Sequence, residues 1–193
     1  IMQTGLECIG DVDLYNLCEV ISLAAQSLQR INARSLLDLS HMGVVASLVD
    51  ALGLDAASRH DVIQCIAQKN ADGVRRLCPD SDIRGVLALI EAHGPASAVL
   101  EQMKPWCSQG PAAEALNELK QVCHCLEADG SVRVQVDFSI VNDMNYYNDI
   151  VFQGYIDGIP SSVLSGGQYD KLMRRMGYRC RAVGFAIYMD LLE

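Results

Sequence analysis

The sequence predicts an α+β fold: an antiparallel sheet flanked by helices, its strands interrupted midway by a block that is helical throughout. Three observations carry this. Period-2 alternation opens the chain and returns after residue 132, helical periodicity fills the stretch between, and the last strand pattern is apolar on every residue. Strands and helices segregated in this way indicate α+β and not an alternating parallel architecture.

From residue 2 to residue 10 the chain alternates, placing Gln3, Gly5 and Glu7 on one face and Thr4, Leu6 and Cys8 on the other. Leu17, Val20, Ile21, Leu23, Ala24 and Leu28 recur at helical spacing, so 15–31 is predicted helical. A short strand follows at 36–39, with His41 at its exit. Between 42 and 126 the spacing predicts helices near 42–52, 57–69, 71–77, 81–92, 95–103 and 111–126. Their boundaries are Gly53, Asn70, Cys78-Pro79, Gly94-Pro95 and Gly110-Pro111, and Pro95 and Pro111 suit first helical turns. This stretch is predicted to be an all-helical insertion.

Strand logic resumes where Val132, Val134, Val136, Phe138 and Ile140 alternate with Arg133, Gln135, Asp137 and Ser139. Runs at 150–156 and 159–164 flank Asp157-Gly158, which predicts a short hairpin because both residues tolerate positive φ. Gly166-Gly167 is expected to lead into a helix over 168–176. The run 182–188 is expected to be an interior strand covered on both faces. Residues 1–41 and 127–193 then form the core, expected to be incomplete at both ends: the chain opens without Met directly in a strand, and Met189-Asp190-Leu191-Leu192-Glu193 looks like a helix cut short.

Composition bounds the function. With 193 residues, 50% of them apolar and 20% charged, the chain can bury a sizeable core. Fifteen basic against 24 acidic residues give −9, too few cations for a broad basic face, so nucleic-acid binding is not expected. No apolar run reaches the roughly 18 residues that span a membrane, and the start lacks a signal-peptide pattern, so a cytoplasmic protein without a membrane partner is expected. The eight cysteines sit within apolar patterns and read as reduced, partly buried thiols. Cys123-His124-Cys125 lacks a second ligand pair at zinc spacing, and no metal or cofactor is expected. His41, His60, His93 and His124 read as surface or packing residues.

Three groups of residues are candidates for a site. Gln3 and Glu7 share a strand face, and Gly5 is expected to leave a hollow between them for an ammonium or a ring N–H. Gly184 and Ala186 put small residues on one face of the last strand, giving room for a ligand or a close backbone neighbour. Tyr146 and Tyr147 lie at a strand exit, where paired aromatics suit a pocket wall. Gly166-Gly167-Gln168-Tyr169-Asp170 has neither a following Gly-Lys-Ser/Thr nor the Gly-x-Gly-x-x-Gly pattern, so no standard nucleotide loop is predicted.

Taken in order, Gln-x-Gly-x-Glu-x-Ile-Gly at 3–10, Glu19-Val20-Ile21, Asp38-Leu39-Ser40-His41-Met42-Gly43, Tyr146-Tyr147 with Val151-Phe152, Gly166-Gly167-Gln168-Tyr169-Asp170 and Val183-Gly184-Phe185-Ala186-Ile187 resemble the class II catalytic core of histidyl-tRNA synthetases. The resemblance covers about 1–43 and 132–193, and implies a class II aminoacyl-tRNA synthetase-like sheet with the helical block at the family's insertion. It also implies a histidine pocket built from Gln3, Glu7, Tyr146, Tyr147, Gly166, Gly167, Gly184 and Ala186. Three departures bear on activity, two of them losses of a cation. Asn142 stands where the synthetases have the arginine of Arg-Gly-Leu-Asp, and Leu191 where they have the arginine of Gly-Leu-Glu-Arg-Leu; Tyr188 replaces a glycine beside the nucleotide. Neither an amide nor an isobutyl group can stabilise phosphate charge as a guanidinium does. A core that keeps the amino-acid side and loses the ATP side resembles the regulatory subunits of ATP phosphoribosyltransferase. That resemblance implies a catalytically inactive partner of the short-form transferase, binding L-histidine, dimeric within a hetero-octamer, with no tRNA. A synthetase core fragment and a stand-alone histidine-binding pseudo-enzyme stay open as alternatives.

Overall fold

The computed structural model describes residues 2–129, 134–141 and 146–192. Asn142 and the beginning of the expected strand at 132 lie outside them. In chain order the elements are β1 (Gln3–Gly10), α1 (Leu14–Ile31), β2 (Ser35–His41), α2 (Met42–Asp50), α3 (Ala56–Ala67), α4 (Ala71–Leu77), α5 (Arg84–Glu91), β3 (His93–Pro95), α6 (Ala96–Met103), α7 (Gly110–Asp129), β4 (Val134–Asp137), β5 (Ile150–Ile156), β6 (Leu164–Gln168), α8 (Asp170–Arg175) and β7 (Arg181–Tyr188), with a single 3₁₀ turn at Met189–Leu191.

The strands form one sheet in the order β1-β7-β6-β5-β2-β4-β3, antiparallel except for the parallel pair β2 and β4. Register sorts the side chains. Glu7 opposes Gly184, Gly184 opposes Gly167, and Gly167 opposes Val151, so these four positions share one face. The other face carries Leu37, Leu39, Phe152, Leu164 and Phe185 into the main core. There Gly154 admits helix α1: a β-carbon on it would lie 2.4 Å from Leu28 Cδ1. Helix α1 starts with a capping box, Asp13 accepting from the Asn16 N–H at 2.9 Å and Asn16 accepting from the Asp13 N–H at 3.3 Å. Its buried stripe holds Leu17, Val20, Ile21, Ala24 and Leu28 as its sequence periodicity predicts, with Ala25 added, whereas Leu23, expected in the stripe, is 39% exposed.

Several elements differ from expectation. The 42–126 stretch is not helix alone, because His93–Pro95 forms β3 and pairs with β4 at the sheet edge. Three residues are too few to show strand periodicity, and Pro95 suits a strand that pairs on one side only. The turn at Asp157-Gly158 forms, with Gly158 at φ +90°, but its returning strand begins at Leu164 and not at 159. Pro160 has no N–H to give to a ladder, and pairing resumes only where the Val163 N–H donates to the Gly154 carbonyl at 2.8 Å. Gly166-Gly167 lies inside β6, and the helix expected after it does follow, as α8, but begins at Asp170 and not at 168; the space for side chains at both glycines is already filled.

Candidate functional site

The candidate site occupies the polar face of β1, β7 and β6. Glu7 and Gly184 are cross-strand partners, and the glycine is what lets the carboxylate lie flat over β7. A β-carbon at Gly184 would sit 1.9 Å from Glu7 Oε2 and 2.7 Å from the Leu6 carbonyl oxygen. Over the same spot Tyr169, 6% exposed at the start of α8, donates its hydroxyl to Glu7 Oε2. Burial first, then this bond and the charge of Glu7, hold the Tyr169 phenol far above its ordinary pKa, so it stays a donor.

Tyr146 and Tyr147 complete the wall. Their rings meet edge to face at 4.6 Å, and Tyr146 lies 5.6 Å from Tyr169 at 32°. Tyr147 packs over Gly167, where a β-carbon would be 2.7 Å from Tyr147 Cδ1. Its hydroxyl bonds to Ser165, whose Oγ is also 2.6 Å from the Tyr188 hydroxyl. Burial, followed by the neighbouring Tyr146, Tyr188 and Glu7, pushes the Tyr147 phenol up to about 12. Tyr146 is raised by burial and then by Glu7. One carboxylate thus faces an aromatic wall of protonated phenols, a set that accepts an N–H from a flat, nitrogen-bearing ring.

The structure brings Glu7, Tyr146, Tyr147, Gly167 and Gly184 together, and Ala186 continues the same face between Gly5 and Ser165. Two expectations are corrected. Gly166 does not line the site: its missing side chain would meet the Phe152 ring at 2.4 Å on the core face. Alternation sends neighbours to opposite faces, so Gly166 and Gly167 could not both face a ligand. Nor does Gly5 open a hollow, since a β-carbon there would lie 2.0 Å from the Phe185 carbonyl oxygen and the space belongs to β7. Gln3 faces Tyr188 at the far end of β1. Four residues of strand put about 13 Å between the backbones of Gln3 and Glu7, so a ligand would have to bridge them. Sequence reasoning assigned no site role to Tyr169 and Ser165, and placed Tyr188 only on the nucleotide side. Tyr169 was legible as part of the Gly-Gly-Gln-Tyr-Asp motif, but its reach to Glu7 depends on how α8 folds back.

Beside this face β2 carries Asp38, with Asp137 nearby on β4. Burial and then Asp137 raise the Asp38 carboxyl to about 6, while Lys69, 2.7 Å from Asp137, works in the opposite direction. His41 is buried at the end of β2: its Nδ1 accepts from the Gly43 N–H at 3.0 Å, so Nε2–H donates to Glu118 at 3.1 Å. It caps α2 and packs, as expected. Among the described residues no group of three or more His, Cys, Asp or Glu side chains could hold a metal ion.

The model of the family described as histidyl-tRNA synthetase matches residues 1–192. The chain belongs to this family. Within it, the chain is 31% identical over 197 residues to an ATP phosphoribosyltransferase regulatory subunit of Desulfitobacterium hafniense (strain Y51), covering 98% of this chain and 51% of that protein. It therefore spans about half the length of the curated relatives it matches. A crystal structure of an ATP phosphoribosyltransferase regulatory subunit/histidyl-tRNA synthetase from Bacillus halodurans superposes with TM-score 0.88 at 26% identity, over 98% of this chain and 52% of that one. The ATP phosphoribosyl transferase (HisG:HisZ) complex from Thermotoga maritima shares the fold, with TM-score 0.78 at 20% identity over 99% and 66% of the two chains. The class II synthetase-like α+β fold implied by the motifs is the fold observed, and the likeness to the regulatory subunits extends over nearly the whole chain. No helix among the described residues is long and apolar enough to cross a membrane.

Proposed function

We propose that this protein is a non-catalytic regulatory subunit of ATP phosphoribosyltransferase in histidine biosynthesis. It joins the short-form catalytic subunit, activates it and helps sense histidine. The observation that carries this reading is the likeness at 31% identity, over 98% of the chain, to a protein named as such a subunit. The Thermotoga maritima complex, which shares the fold, supports the choice of partner. The residues agree with it. Leu191, at the position of a synthetase arginine, presents an apolar side chain that is 41% exposed, and such a group cannot clamp a triphosphate. Tyr188, tied to Ser165, fills the sheet face where the synthetases have a glycine.

In this reading L-histidine is the ligand of the β1-β7-β6 face. Glu7 accepts an imidazole N–H, Tyr147 and Tyr146 provide an opposing hydroxyl and a wall, and Gln3 meets the amino-acid end. Gly184 and Gly167 let Glu7 and Tyr147 lie close against the sheet, and Ala186 extends the floor beside them. The protein acts in the cytoplasm as a symmetric dimer within a hetero-octamer, with 42–126 as its insertion and residues 1–41 and 127–193 as its core.

The test mixes the full-length native protein with a short-form transferase at micromolar concentration. Light scattering and a transferase assay should show one large species, higher activity, and a decrease of that activity on adding histidine. Two separate peaks with unchanged activity refute the assignment. Histidine-dependent pyrophosphate exchange above background would instead establish a working synthetase.

A further inference from the structure

On the side of the sheet away from Glu7, helices α1 and α7 enclose a groove of about 680 Å³. Leu14, Tyr15, Leu23 and Leu126 line it, together with two thiols, Cys18 from α1 and Cys125 from α7. The groove is open to solvent, since Tyr15 is 70% and Leu23 39% exposed. The thiols of Cys18 and Cys125 are hydrogen-bonded to each other across the helix pair, with Cys125 exposed and Cys18 half-buried. Cys123, two residues back along α7, is turned into the core at 2% exposure. Two thiols without a third ligand do not make a metal site, but two sulfurs in contact and reachable from water make a dithiol.

We propose that Cys18 and Cys125 are a redox-modification site that closes to an α1–α7 disulfide with a small disulfide oxidant of the glutathione class. The Cys125 thiolate attacks one sulfur of the oxidant, forming a mixed disulfide and expelling one glutathione thiolate. Cys18 then loses its proton to solvent and attacks the Cys125 sulfur, expelling the second glutathione. Two protein thiols are oxidised and one glutathione disulfide is reduced to two glutathiones. The exposed Cys125 takes the first step because it meets the oxidant. Once Cys125 is in the mixed disulfide it no longer bears on Cys18 as a thiol, but burial, the larger cause, still holds the Cys18 thiol above its ordinary pKa, so the closing step is slow near neutrality and follows the thiolate fraction. The product ties a helix of the synthetase-like core to the last helix of the 42–126 stretch.

The experiment treats the full native protein with glutathione disulfide, counts free thiols after denaturation and maps the disulfide peptides by mass. The chain starts with eight free cysteines. Wild type should lose two thiols, yield a Cys18–Cys125 peptide pair, and recover both with dithiothreitol. The mixed disulfide should decay about tenfold faster per pH unit between pH 7 and 9. Cys18→Ser should stop at one glutathione on Cys125, and Cys125→Ser should form no disulfide to Cys18. A wild-type product linked through Cys123 or between molecules, a mixed disulfide that never closes, or no loss of thiols overturns the proposal. The wild-type map decides even if a variant fails to fold.

Discussion

Adding one methyl group at Gly184 tests the architecture of the candidate site most directly. In Gly184→Ala the new carbon would lie 1.9 Å from Glu7 Oε2, 2.5 Å from Glu7 Cδ and 2.7 Å from the Leu6 carbonyl oxygen. The carboxylate can swing away, but it then abandons the Tyr169 hydroxyl; the Leu6 oxygen is backbone and cannot yield without parting β1 from β7. Overpacking of this kind costs roughly 1–3 kcal/mol. For a domain of this size each kcal/mol shifts Tm by about 2–4 °C, so a fall on the order of 3–10 °C is expected. Displacing Glu7 also removes a charged acceptor worth about 1.5–3 kcal/mol to the ligand, which is tenfold or more in Kd. Differential scanning calorimetry and titration calorimetry with L-histidine measure the two effects. Gly154→Ala is the control: its carbon would strike Leu28 of α1 on the core face, so it should lower Tm while leaving histidine affinity within about threefold. Wild-type affinity in Gly184→Ala, or an equal loss in both variants, refutes the reasoning.

Tyr169→Phe removes the hydroxyl that holds Glu7 and should weaken histidine roughly 5–20-fold in the same titration with little change in Tm, the scale of one charged hydrogen bond. Asp38 carries a folded-state pKa of about 6 against 3.8, so its contribution to stability is complete below pH 3.8 and lost as pH rises through 6. Asp38→Asn should therefore be more stable than wild type at pH 8 by about 1–2 kcal/mol after solvent screening, with the gap closing toward pH 4 in urea melts. His41→Ala uncaps α2 and strands the half-buried Glu118, and should cost about 2–4 kcal/mol. The bond to His41 holds the Glu118 carboxyl below its ordinary value, so that pairing is fully present above the unfolded carboxylate range and lost as pH falls through the lowered pKa. The His41 variant should show a shallower acid limb.

The glycines show where reading the sequence stops. Periodicity located β1, α1, β7 and most helices of the 42–126 stretch, because those elements announce themselves by which residues they bury. A glycine announces nothing of the kind. Gly5, Gly166 and Gly184 looked alike as small residues beside a possible ligand, yet one lets β1 approach β7, one makes room for Phe152 in the core, and one cradles the Glu7 carboxylate. What distinguishes them is register, the alignment of Glu7 with Gly184 and of Phe152 with Gly166, which joins segments up to 177 residues apart. Local pattern carries no information on that alignment; only closure of the sheet sets it. Tyr169 was hidden for a related reason, since its hydroxyl reaches Glu7 across 162 residues of chain. The carboxylate and the small residues of this site were therefore legible one at a time, and their convergence was not. A substitution such as Gly184→Ala, which leaves every polar side chain of the site in the sequence and only moves Glu7 out of the convergence, separates the two kinds of information.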